Sequence, residues 1–93
     1  MSTIGSIIPR ERTTITGRVE IMRVRTAAHN TALLECVLND GTGSIEAVFL
    51  GYRTIPGLHL GGTLQVDGVS VMWDYRLVML NPRYTIIPSA VHA

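Results

Sequence analysis

The chain has 93 residues, a net charge of +1 and an apolar fraction of 46%. That length makes one domain, and that apolar fraction excludes a disordered tail. No apolar run approaches the roughly 20 residues that a membrane-crossing helix needs.

Valine, isoleucine, threonine and leucine dominate, which favours strands, and five strand-like segments follow one another without a helix-length 3.6-residue pattern. The first, TTITGRVEIMRVR over 13–25, places Val19 and Ile21 on one face but Met22 and Val24 on the other. This switch of parity predicts a bulge, or a strand coiled strongly enough to serve two sheets. The second, ALLECVLN over 32–39, alternates cleanly, with Leu34, Cys36 and Leu38 facing inward. A small polar loop, TAAHNT, joins the two.

Asp40-Gly41-Thr42-Gly43 then turns the chain into the third segment, SIEAVFL over 44–50, whose Ile45, Ala47 and Phe49 share one face. The stretch superficially resembles a GxGxxG phosphate loop, but that loop requires a helix after it and a third glycine. A strand follows here, so the reading is a hairpin in which one of Gly41 and Gly43 holds a positive φ. The connection over 51–62, GYRTIPGLHLGG, has room for one helical turn at 52–55. The fourth segment, TLQVDGVSVM over 63–72, alternates until Gly68. Trp73-Asp74 turns it into the fifth, YRLVML over 75–80, which Asn81-Pro82 is expected to stop.

Five short strands in a small domain must close up to protect their edges. A long bent first strand, a meander, an intervening segment and a terminal hairpin form an all-β plan. It reads as a five-stranded Greek-key OB-fold barrel with a short connection between strands three and four. An SH3-like barrel competes, but its last strands are separated by a helical turn for which Trp73-Asp74 leaves no space. The predicted organisation is an N-terminal extension over 1–12, the OB-fold domain over 13–85 and a C-terminal tail over 86–93.

Four stretches carry a resemblance: TITGRV at 14–19, LNDGTGSIEAVFLG at 38–51, IPGLHLGGTLQVDGVSV at 55–71 and LNPRY at 80–84. In this order and spacing the chain resembles the small actinobacterial OB-fold nucleic-acid-binding proteins of the tRNA-anti-like superfamily. More distantly it is similar to the wedge domain of RecG-type branch-migration helicases. The resemblance spans about three quarters of the chain and implies an OB barrel that binds nucleic acid. At the last hairpin such sequences often read glycine-arginine, whereas this one reads Asp74-Tyr75-Arg76 behind Trp73.

The chemistry-bearing residues point to binding. His29, His59 and His92 lie on unrelated segments without metal-ligand spacing. No nucleophile elbow or Ser-His-Asp arrangement occurs, and the carboxylates are spread singly, as on solvated strand faces. No catalysis, cofactor or metal is expected. All eight basic residues are arginine, and five fall before residue 26, an asymmetry open to an anionic partner.

OB folds hold oligonucleotides across strands two and three, between the one–two and four–five loops. Cations meet the backbone there and flat rings meet the bases. The candidate nucleic-acid-binding residues are Arg23, Arg25, His29, Tyr52, Arg53, Trp73, Tyr75 and Arg76. For Arg23 and Arg25 the plain alternative is a solvated arginine. For Trp73 it is an end plug packed on Met72 or Pro56. Phe49 reads as core and Tyr84 as packing for the tail. The expected partner is nucleic acid, single-stranded DNA or RNA ahead of duplex. A protein partner or a second copy is the alternative, and no membrane is expected. The N-terminus lacks the basic and apolar regions of a signal peptide. The lone Cys36, read as a small buried residue, excludes an internal disulfide and fits a reducing cytoplasm.

Overall fold

The computed structural model describes residues 2–88. Among the described residues six strands form one sheet: β1 (Arg12–Thr26), β2 (Ala32–Asn39), β3 (Ser44–Leu50), β4 (Thr63–Trp73), β5 (Arg76–Leu80) and β6 (Arg83–Ile87). The pairings run β1–β2–β3–β5–β4, and β4 returns to β1, so five strands make a ring while β6 adds to β4. All pairings are antiparallel except β3–β5.

This corrects the expected five-stranded closed Greek-key barrel: the sheet is mixed and six-stranded, a ring with an appended strand. Asn81-Pro82 does not end the sheet. Asn81 takes a positive φ of 48°, its N–H donates to the Val48 carbonyl at 2.7 Å, and its Oδ1 accepts from the Leu50 N–H at 2.8 Å. The asparagine thus continues the β3–β5 ladder with its own side chain, and the chain emerges from Pro82 to pair again with β4.

The parity switch in β1 is a bulge. The register slips between Val19 and Ile21, leaving Ile15 and Val19 in the core while Met22 packs against it from beyond the slip. Alternation on β2 and β3 supplies Leu34, Cys36, Leu38, Ile45, Ala47 and Phe49; β4 and β5 add Leu64, Val66 and Met79. Cys36 is fully buried, and burial pushes its thiol pKa up to about 11, so it stays protonated and unreactive at neutral pH. No helical turn forms at 52–55; residues 51–62 connect β3 to β4 by bends and turns.

The β2–β3 hairpin is as expected. Gly41 holds φ +90° and Gly43 does not enter that region, and β3 begins at Ser44. The hairpin also anchors the N-terminal segment. The Ile4 N–H donates to Asp40 Oδ2 at 2.8 Å and the Gly5 N–H to Thr42 Oγ1 at 2.8 Å, which seats Ile4 in the core at 2% exposure. A Cβ on Gly5 would stand 2.6 Å from the Thr42 carbonyl oxygen, so only glycine permits this approach.

The Thr42 side-chain hydrogen bond, then the Ile4 N–H, hold the Asp40 carboxyl below the usual carboxylate range. A depressed folded-state pKa gives stability that is fully present above the unfolded value of about 3.9 and lost as pH falls through the folded value. Asp40→Ala should therefore lower the thermal midpoint at neutral pH. The gap from wild type should close in acid, as unfolding scans from pH 7 to pH 2 would record; a gap independent of pH would remove the carboxylate from the tether.

Candidate functional site

The outer face of the ring is built by the residues that alternate with the core. Two rows cross it by strand register. One runs Ile21, Val37, Glu46, Val78 and Val71; the next runs Arg23, Glu35, Val48 and Leu80. The β1–β2 loop bounds one end of these strands. The β4–β5 hairpin, with Trp73 opposite Arg76, stands at the other end.

Of the sequence-predicted site residues, Arg23, Arg25, Trp73, Tyr75 and Arg76 come together around this face. A groove of about 590 Å³ runs between Ile21, Arg23, Val37, Glu46, Met72 and Tyr75. A second hollow of about 300 Å³ adjoins it through Glu46 and Arg76 and is walled by Glu35, Val71, Trp73 and Leu80. Trp73 is 68% exposed and Tyr75 95% exposed, so Trp73 is not an end plug.

Both central residues of the hairpin, Asp74 and Tyr75, have positive φ, 51° and 62°. Two-residue hairpin loops demand this, and Asn-Gly or Asp-Gly meets the demand without strain. A tyrosine there costs about 1–2 kcal/mol of backbone strain, and its exposed ring recovers little of that through packing.

The other three predicted residues lie apart. His29 sits in the 3₁₀ turn Ala28–Asn30 of the β1–β2 loop, exposed and with φ 61°. Arg53 is exposed in the 51–62 connection. Tyr52 packs edge-on against Phe49 at 6.2 Å and lines a separate hollow with Tyr84. Phe49 is core, as its parity implies, and Tyr84 packs edge-on against it at 5.5 Å.

Two charged residues of this face escaped the sequence reading. Glu35 and Glu46, read as solvated carboxylates, stand in the middle of the face. Glu35 Oε1 accepts from Arg23 Nε at 3.0 Å and from Arg25 Nε at 2.7 Å. Glu46 is 5% exposed and pairs with Arg76 Nη1 at 3.2 Å. The available signal was register: Arg23 lies directly opposite Glu35 once the bulge is counted.

Elsewhere, on the β1–β4 pairing, Arg12 binds Asp67 at 2.9 Å; that hydrogen bond holds the Asp67 carboxyl below the usual range. Among the described residues no three His, Cys, Asp or Glu side chains converge on a metal site. No helix among them is long and apolar enough to cross a membrane. An array of rings and paired arginines over an open groove can hold a ligand.

The sequence matches no protein-family model and no functionally curated protein. Solved structures are similar in fold. The second OB-fold domain of replication protein A from Methanococcus maripaludis superposes with a TM-score of 0.73 at 19% identity, covering 98% of each chain. A replication factor A related protein from Methanobacterium thermoautotrophicum gives 0.76 at 20% identity, covering 99% of this chain and 94% of that one. RecG bound to a three-way DNA junction gives 0.75 at 19% identity, with 92% of this chain matching 12% of that one. Ring, hairpin and likeness together make this chain an OB-fold-like domain.

Proposed function

We propose that this chain is a non-catalytic module that binds single-stranded nucleic acid across the outer face of β2 and β3. The observation that carries the reading is the β4–β5 hairpin. It holds Trp73 and Tyr75 exposed beside Arg76 and Arg23, at a backbone cost that the fold itself does not require. Strain held at an exposed position is a mark of function. Rings at the channel edge stack on bases whatever their identity, and arginines nearby meet the backbone.

The similar structures support the reading: two are replication protein A or related to it, and one was determined on a DNA junction. Membership of the tRNA-anti-like group, and a reducing cytoplasmic setting for the Cys36 thiol, belong to the same proposal. A protein-docking face is the second reading. It is favoured by the ion pairing of Arg23, Arg25 and Arg76 and by the exposure of Val69, Val71 and Leu80 on the same side.

Trp73 is the only tryptophan, so native fluorescence reports on this hairpin. Titration with single-stranded DNA should quench it, and duplex of equal length should quench it less. No response to single-stranded DNA or RNA, with no binding by an independent measure, would favour the docking reading.

A further inference from the structure

Glu35 and Glu46 occupy the part of the face that a polyanion would have to cross. They are diagonal neighbours on β2 and β3, since Glu35 lies opposite Val48 and Glu46 opposite Val37. Three arginines bind these two carboxylates, so the cluster carries only one positive charge in excess. A phosphate that approaches Arg23 or Arg25 therefore meets the Glu35 carboxylate already bound there.

Resting on the nucleic-acid reading above, we infer that Glu35 and Glu46 are affinity-setting residues, resident anions that compete with the ligand's phosphates for Arg23, Arg25 and Arg76. Two physical consequences follow. Ion pairing holds the guanidinium groups over the face, so a ligand finds them oriented. It also keeps these arginines from neutralising phosphates, the step that releases cations from the nucleic acid and drives electrostatic binding. An arginine held by a fixed carboxylate neutralises little phosphate charge, and like charges brought together oppose the encounter. The face thus favours single strands that offer bases to Trp73 and Tyr75 over polyanions that offer charge alone.

The test is anisotropy of a labelled oligothymidylate of about 12 nucleotides, within the site sizes of OB folds. Wild type, Glu35→Gln and Glu46→Gln are compared at several salt concentrations, with thermal unfolding as the check on folding. Glu35→Gln should tighten binding about tenfold at low salt, because it removes a like charge from the ligand's path. Its salt slope should steepen by about 1.4, roughly 0.7 for each of the two arginines released.

Glu46→Gln should act in the same direction through Arg76. Glu46 is the more buried, so Glu35→Gln alone decides the matter where Glu46→Gln does not fold. A folded Glu35→Gln protein that binds as well as wild type or worse, with an unchanged slope, would overturn the inference and leave the nucleic-acid reading standing. Binding by Glu35→Gln but not by wild type would support it strongly. No binding by either would remove the reading and the inference together.

Discussion

Phe49→Ala is expected to destabilise the fold by about 3–5 kcal/mol, the usual cost of removing a large buried ring and leaving a cavity. The ring is 2% exposed and sits opposite Leu34 across the β2–β3 pairing. Its edge-to-face contacts with Tyr52 and Tyr84 connect the 51–62 segment and β6 to the core. A domain of this size has about 5–15 kcal/mol in total, so the substitution takes a large share. Urea unfolding should show a much lower midpoint with a similar slope. A loss under about 0.5 kcal/mol, the scale of an ordinary surface change, would mean that the ring is not the joint between these parts.

The second large effect is on binding alone. Trp73→Ala combined with Tyr75→Ala should weaken single-strand binding by at least thirtyfold, since each stacked ring contributes about 1–3 kcal/mol. The unfolding midpoint should stay nearly unchanged, because both rings are exposed and little packing is lost. A double variant that unfolds at a much lower temperature yet keeps its residual affinity would make the hairpin a structural element instead of a contact.

Much of the fold was legible because alternation and turn chemistry act locally. The bounds of β2 and β3 follow from period-two patterning and from Asp40-Gly41, and the β1 bulge follows from a change of parity at one residue. The sixth strand was not legible. Proline is a sound terminator of a ladder, and the register of Asn81 against Val48 and Leu50 is a tertiary fact. Nothing in the run around Ile4 marks it as core either, since its burial depends on Asp40 and Thr42, some forty residues on.

The site divides in the same way. Trp73, Tyr75 and Arg76 could be placed because a hairpin tip is set by neighbours in sequence. The capture of Arg23 and Arg25 by Glu35, and of Arg76 by Glu46, needed the register of three strand pairings.

The most direct measurement of where a ligand lies is an amide and indole NMR titration of the whole chain with single-stranded DNA. Shifts are expected at Glu35, Val37, Glu46 and Val48, along the Trp73–Arg76 hairpin, and at the Trp73 indole N–H. Shifts confined to the Arg12–Asp67 side or to the Tyr52–Tyr84 hollow, with the indole unmoved under saturating ligand, would contradict the assignment of the outer β2–β3 face.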